Sequence, residues 1–397
     1  MSVRLEPAIE ERVRRTPLDA SAKAEDRAMQ AAIRLARRGV GTTHPNPRVG
    51  AVVLRGETIV GSGYHARAGD AHAEARALDE AGERAEGATL VVTLEPCAHF
   101  GRTPPCADRV IEAGVRRVVV GMLDPNPLVD GRGVARLREA GLDVAVGSRA
   151  DDCRALNPPY LKRLATGLPW VTLKAMTSLD GRIASESGDS RGLGGDAELR
   201  LAHRIRAEHD AVLVGIGTAM QDDPLLTVRH ARGRSPWRIV LDSTLRLGEN
   251  ARLLASAGES PVVVATVSRD RRRIAAFEAR GAGVWVFTPD SDGRVPLDPL
   301  LRRLVGEGRY ALLVEGGRQV HTAFLRGGFA DRVAIGIAPL LLGGTSAPAW
   351  TGDLGRGRVE DAIPLGPLSA RRVGRDVWLE AEIRRDGAPG EERRADV

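Results

Sequence analysis

Three residues constrain this 397-residue chain more than any others: His72, Cys97 and Cys106. They stand in His72-Ala73-Glu74, in Pro96-Cys97, and at the far end of a long gap between the two cysteines. An imidazole and two thiolates are borderline-to-soft ligands that suit zinc. Three protein ligands leave a fourth position for water, the mark of a catalytic rather than a structural zinc. The surrounding pattern places His72 and Glu74 at the start of a helix and Cys97 at the end of a strand. Loop tips at strand ends are where α/β proteins hold their ligands.

The rest of the chain reads as alternating helix and strand. A helix is expected from about Ser21 to Arg38, with Ser21 as N-cap. The loop Thr42-Thr43-His44-Pro45-Asn46-Pro47 leads to strands Val49–Leu54 and Thr58–Tyr64. A helix from near His72 to about Gly82 and a strand Thr89–Leu94 come next, then a strand Val115–Val120, a helix near Val134–Ala140 and a strand Asp143–Val146. Asn157-Pro158-Pro159-Tyr160 to Gly167-Leu168-Pro169 reads as a linker. Beyond it lie expected strands Trp170–Ala175, Ala211–Gly215, Arg238–Leu241, Val262–Thr266, Val284–Thr288, Ala311–Val314 and Val333–Ile337, with helices between most of them. This order predicts two layered α/β domains. No internal repeat is visible.

Composition narrows the function. Aromatic residues make up 3% of the chain, which argues against a broad surface for stacking nucleic-acid bases. The net charge is +6, carried almost wholly by arginine, since Lys23, Lys162 and Lys174 are the only lysines. Such a mild balance suits phosphorylated small molecules, and no dense basic run requires DNA or RNA. Three cysteines, two of them in a metal pattern, read as a reducing cytoplasm and not a disulfide framework. No apolar stretch is long enough to span a bilayer. Met1 to Ala24 reads as a loose extension and Arg384 to Val397 as a frayed tail.

His-x-Glu followed by Pro-Cys and a second cysteine is the signature of zinc deaminases, here with a longer gap between the cysteines. In that chemistry zinc brings a water within reach of deprotonation near neutral pH, and Glu74 shuttles the proton to the departing amine. A structural zinc with His99 or Cys153 as fourth ligand, or an unligated cysteine pair, are the alternatives. His99 is also read as facing the substrate or as structuring its loop, and Cys153 as a core or linker cysteine.

The words His44-Pro45-Asn46-Pro47-Arg48-Val49-Gly50, Gly63-Tyr64-His65, His72-Ala73-Glu74 and Leu94-Glu95-Pro96-Cys97-Ala98-His99-Phe100-Gly101-Arg102-Thr103-Pro104-Pro105-Cys106 resemble the deaminase of the riboflavin pathway. Ser178-Leu179-Asp180-Gly181-Arg182, Asp222-Asp223-Pro224-Leu225-Leu226-Thr227-Val228-Arg229 and Val314-Glu315-Gly316-Gly317 resemble the reductase fused to it. The resemblance implies an α/β fold with a cytidine-deaminase-like α/β/α layered domain followed by a dihydrofolate-reductase-like α/β domain. It divides the chain into an extension (1–24), a zinc deaminase domain (25–150), a linker (151–168), an NADPH-dependent reductase domain (169–385) and a tail (386–397). It implies zinc-dependent deamination of 2,5-diamino-6-ribosylamino-4(3H)-pyrimidinone 5′-phosphate, then reduction of the ribosyl group of 5-amino-6-(5-phosphoribosylamino)uracil to ribityl by NADPH. It further implies a homodimer that binds neither nucleic acid nor membrane.

Residue by residue, the resemblance makes His72, Cys97 and Cys106 the zinc ligands and Glu74 the catalytic carboxylate. It puts Asn46, Ser190, Arg206, Leu226, Arg229 and Glu315 at the substrate, with Arg206 and Arg229 on its phosphate, where a bidentate guanidinium suits the anion. It puts Met176, Gly192, Thr218, Asp222, Ser243 and the run Gly317, Arg318, Gln319, Val320, His321, Thr322, Ala323 at NADPH. Read without it, the Gly316-Gly317 turn is a common strand-to-helix connection, Asp222-Asp223-Pro224 is a turn or helix cap, and each arginine is an ordinary surface residue. Lys174 reads either as a functional group before Ser178 or as a strand-edge lysine. One departure concerns the cofactor: the family commonly shows Gly-Asp-Ser-Lys-Trp-Ile-Thr where this chain has Gly188-Asp189-Ser190-Arg191-Gly192-Leu193-Gly194. Loss of the aromatic at Gly192 removes stacking area. Arg48 is a lesser variation. Two competing readings are a deaminase whose second domain binds ligand without reducing it, and an RNA-binding deaminase fold.

Overall fold

Alternating apolar strands and amphipathic helices build two separate sheets in the structure, a computed structural model that describes residues 20–98 and 105–385. The chain divides between Leu164 and Ala165 into two units. The first sheet contains β1 (Gly50–Arg55), β2 (Thr58–Tyr64), β3 (Thr89–Val92), β4 (Arg117–Val120) and β5 (Asp143–Val146), in the order β2-β1-β3-β4-β5. β1 runs antiparallel to both β2 and β3, and β3, β4 and β5 are parallel.

Both faces of this sheet are covered. Along β1, Ala51 and Val53 point to one side and Val52 and Leu54 to the other, the period-two alternation of a strand. Val52, Leu54, Val91 and Val119 pack under the helix Ala20–Ala36, whose Ala24, Ala28, Met29, Ala32 and Ile33 recur at helical spacing. On the other face, Ala51, Val53, Leu90, Val92, Val118 and Val120 meet Ala73, Ala77, Val110, Val134 and Leu137 from the helices Ala73–Ala81, Cys106–Glu112 and Arg132–Glu139. Each fully buried Val or Leu contributes roughly 1.5–3 kcal/mol. The result is the expected α/β/α layer.

Two expectations change here. Ser21 lies within the helix and is not its N-cap, and the helix already includes residues 20–24. The stretch read as a linker is largely helical, with Ala150–Arg154 and Pro158–Thr166. Pro158 and Pro159 open the second of these, because proline lacks only an N–H that the first turn leaves unused. Cys153 and Leu156 are buried against the first helix, so these residues complete the first unit. His99, residues 1–19 and the tail 386–397 lie outside the described residues.

The second sheet contains β6 (Trp170–Ser178), β7 (Ala211–Gly215), β8 (Trp237–Leu241), β9 (Val262–Thr266), β10 (Gly283–Val286), β11 (Ala311–Val314), β12 (Arg332–Ala338), β13 (Ser369–Val373) and β14 (Asp376–Glu382). Its order is β10-β9-β8-β7-β11-β6-β12-β14-β13. The strands are parallel from β10 through β12, and β14 and β13 are added antiparallel. β7, β9 and β11 are buried at every residue, as parallel strands covered on both faces must be. β13 and β14 were not expected. β13 reads Ser-Ala-Arg-Arg-Val and is almost wholly exposed, so it carries no apolar signal. Among the described residues no helix is long and apolar enough to cross a membrane.

Candidate active sites

His72 is the N-cap of the helix Ala73–Ala81, Cys97 follows β3, and Cys106 opens the next helix. The layer brings their ligand atoms to within 4.8 Å of one another. His72 Nδ1 lies 3.1 Å from Cys106 Sγ and 3.7 Å from Cys97 Sγ. The Cys106 N–H points to Cys97 Sγ at 3.4 Å, and the Ala107 N–H donates to the Cys97 carbonyl at 3.1 Å. An imidazole and two thiols in this arrangement fit zinc. They are the only group of three such ligands among the described residues. Cys153 takes no part: it is buried, with its sulfur against Met29 and the Ser148 carbonyl.

Glu74 sits in the first turn of the helix that His72 caps and is buried. Burial pushes its carboxyl up to about 7, against the lowering influence of His72. Cys106 donates its proton to Cys97 and, with His72, holds the Cys97 thiol well below its usual range although burial opposes this. Cys106 is correspondingly pushed up. One ligand is thus a ready thiolate, and a metal displaces the second proton.

Two further residues shape this site without having been assigned a role. His65 packs edge-on to His72 with 5.4 Å between ring centres, and its Nε2 lies 3.1 Å from Asn46 Nδ2. Its Nδ1 is 3.4 Å from the Ala71 carbonyl. Burial lowers the His65 pKa, consistent with a neutral ring that donates from Nδ1 and accepts from Asn46 at Nε2. Glu95, just before Pro96-Cys97, is buried and accepts three backbone N–H groups, from Asp124 (3.1 Å), Gly131 (3.0 Å) and Val134 (3.0 Å). Both stand inside sequence words already quoted, but their partners are set by the fold.

In the second unit, Met176 lies on β6, Thr218 on the helix after β7, Ser243 beyond β8, and Glu315 and Gly317 beyond β11. These four strands are neighbours in the sheet, so the residues gather at adjacent carboxyl ends, where parallel sheets bind ligands. Ser190 Oγ donates to Asp222 Oδ1 at 3.3 Å. Gly317 caps the helix Arg318–Arg326 with no side-chain cap bond, leaving that N-terminus open to an anion.

The side chains of the other expected residues point in different directions. The run 317–323 is helical from Arg318, and consecutive helical residues cannot share one face. His321 points into the core, with Nδ1 3.1 Å from the Trp350 carbonyl and Nε2 3.3 Å from that of Val314. Thr322 is bonded to the Arg318 carbonyl and the Gly352 N–H, while Arg318 and Gln319 are exposed and Val320 and Ala323 half-buried. The Leu226 side chain is buried in the core and its φ is 54°, so only its backbone is available to a ligand.

The charged residues form a cluster. Arg206 makes two 2.7 Å bonds to the two oxygens of Glu315, with both side chains nearly buried. Lys174 pairs with Glu198 at 2.8 Å. Arg229 is exposed, its backbone N–H donating to Nδ1 of His203 at 2.9 Å. Burial, reinforced by Arg206 and Arg229, pushes His203 down to about 4, so it is a neutral acceptor. Gly192 has φ 79°, a conformation that an aromatic residue adopts only under strain. A Cβ on Gly194 would fall 2.4 Å from the Glu198 carboxylate, which would have to shift to admit it.

The family model for the RibD C-terminal domain matches residues 169–379, and that for the cytidine and deoxycytidylate deaminase zinc-binding region matches residues 22–122. The riboflavin biosynthesis protein RibD of Bacillus amyloliquefaciens is 41% identical over 373 residues, covering 93% of this chain and 98% of that protein. The RibD of Escherichia coli (strain K12) is 41% identical over 364 residues, 88% of this chain and 97% of its own. Among solved structures, a form of Acinetobacter baumannii RibD superimposes with a TM-score of 0.81 at 37% identity, covering 91% of this chain and 99% of its own. The diaminohydroxyphosphoribosylaminopyrimidine deaminase/5-amino-6-(5-phosphoribosylamino)uracil reductase of Thermotoga maritima gives 0.79 at 32% identity, with the same coverage of 91% and 99%.

Proposed function

The chain belongs to the RibD family of riboflavin biosynthesis proteins, and from that premise we propose how its own residues carry out two reactions in sequence. The first unit deaminates the pyrimidine ring of 2,5-diamino-6-ribosylamino-4(3H)-pyrimidinone 5′-phosphate. The second reduces the ribosyl group of the product, 5-amino-6-(5-phosphoribosylamino)uracil, to ribityl. The observation that carries the reading is the convergence of one imidazole and two sulfurs within 4.8 Å beside a buried carboxylate.

His72, Cys97 and Cys106 would hold zinc, which would lower the pKa of a bound water toward neutrality. Glu74 takes a proton from the attacking water, whose oxygen bonds to the ring carbon, and passes that proton to the amino group, which leaves as ammonia as the C–N bond breaks. Two residues beyond His72, in the first turn of the helix that His72 caps, it stands beside the ligand set without belonging to it. Asn46, oriented by His65, binds the pyrimidine edge.

In the second unit NADPH supplies the hydride. The open N-terminus at Gly317 would receive its pyrophosphate, with Thr218, Ser243, Met176 and the Ser190–Asp222 pair alongside. Arg206 and Arg229 hold the substrate phosphate, Arg206 also pairing with Glu315, which faces the substrate. The reading extends to a cytoplasmic homodimer.

Glu74→Gln in the full-length, zinc-loaded protein tests the deaminase half. The expected outcome is a deamination rate lower by about 10²- to 10⁴-fold. Zinc content and NADPH-dependent reduction of the deaminated intermediate stay unchanged. A variant that still deaminates at the wild-type rate removes Glu74 from the mechanism.

A further inference from the structure

The segment that closes the first unit reaches both sides of the zinc site. Asn157 is buried, and its side-chain amide grips a single residue on both sides: Oδ1 accepts the Arg48 N–H at 2.7 Å and Nδ2 donates to the Arg48 carbonyl at 2.9 Å. Arg48 belongs to the loop that carries Asn46, whose Nδ2 lies 3.1 Å from His65. The grip is on the backbone, so it is indifferent to the side chain at position 48.

Three residues on, Tyr160 is buried and its hydroxyl lies 2.8 Å and 3.1 Å from the two carboxylate oxygens of Asp124. The Asp124 N–H in turn donates to Glu95, the residue two positions before Cys97. Glu95 also gathers the N–H groups of Gly131 and Val134, which fixes the start of the helix Arg132–Glu139 against Pro96. Asn157 and Tyr160 flank the two prolines that open their helix, so proline's fixed φ sets their spacing.

We propose that Asn157 and Tyr160 are positioning residues of the deaminase. Asn157 holds the substrate-side loop bearing Asn46. Tyr160 holds, through Asp124 and Glu95, the turn bearing Cys97. The two act on different parts of one reaction: Asn157 on substrate binding and Tyr160 on metal binding. The assignment rests on the deaminase reading given above.

The experiment compares full-length wild type, Asn157→Ala and Tyr160→Phe. Each is assayed for kcat and KM of deamination, zinc affinity by competition with a chelator, NADPH-dependent reductase rate, and amide exchange of residues 42–49. Asn157→Ala is expected to raise the deamination KM about tenfold, to speed exchange in 42–49, and to leave zinc affinity and reductase rate unchanged. Tyr160→Phe is expected to weaken zinc binding about tenfold and leave KM for the zinc-saturated protein near wild type. A merely structural role would move all these quantities together in both variants, and that result overturns the proposal. So do folded variants with wild-type KM, zinc affinity and exchange. Wild-type protein that fails to deaminate would sink the deaminase reading instead. The exchange and zinc measurements would then still decide whether the two residues position the loops.

Discussion

Glu315 is held almost out of water, and burial alone would keep it protonated. The two bonds from Arg206 outweigh burial, with help from Lys174, and hold its carboxyl down at about 2. A carboxyl depressed in the folded state stabilises the protein above its unfolded value near 4.5, and that stabilisation is lost as the pH falls toward 2. Glu315→Gln is therefore expected to cost roughly 3 kcal/mol at pH 7, chiefly because it strands the Arg206 guanidinium. The gap between variant and wild type should narrow between about pH 5 and pH 2, followed by denaturant unfolding. A gap independent of pH would mean that the pair is not ionised as described. Glu315 stands in the Val314-Glu315-Gly316-Gly317 motif and Arg206 at a position matched by the resemblance, but their pairing spans 109 positions and is made only when the helix Asp196–Glu208 packs beside the end of β11. The zinc ligands were legible for the opposite reason. Their chemistry names the partner, so any fold that keeps them must bring them together.

The elements were legible where their burial is uniform. β7, β9 and β11 are apolar throughout, and the sequence locates them to the residue or nearly so. β13 was not legible because it is an exposed, arginine-bearing edge, and the helix Pro158–Thr166 was not because its opening prolines also signal a linker. The run 317–323 falls mostly on the helix Arg318–Arg326, whose 3.6-residue period turns His321 inward and spreads the other side chains over several faces. That helix also offers a test of the cofactor site. Gly317 sits at its N-cap with φ −77°, a value any residue adopts. Gly317→Asp would supply the missing cap and favour the helix by a few tenths of a kcal/mol. The same carboxylate would repel a pyrophosphate. The variant should unfold at the wild-type temperature or above it, while its KM for NADPH rises at least about tenfold. An unchanged KM would move the pyrophosphate away from this helix.

At the scale of the whole molecule, one chain carries two sheets whose sites demand different chemistry. The first supplies three soft ligands and a buried acid. The second supplies adjacent strand ends, an open helix N-terminus and a cluster of paired charges. At Gly192, where the family commonly carries an aromatic, the backbone has φ 79°, which an aromatic residue adopts only under strain. The central claim is that both reactions run on this one chain in order. The most direct test incubates purified, zinc-loaded protein with the phosphoribosyl diaminopyrimidinone and follows the products by mass spectrometry, first without NADPH and then with it. The account predicts replacement of the ring amino group with release of ammonia in the first stage, and a gain of two hydrogens on the sugar in the second. Folded, zinc-loaded protein that releases no ammonia would contradict it.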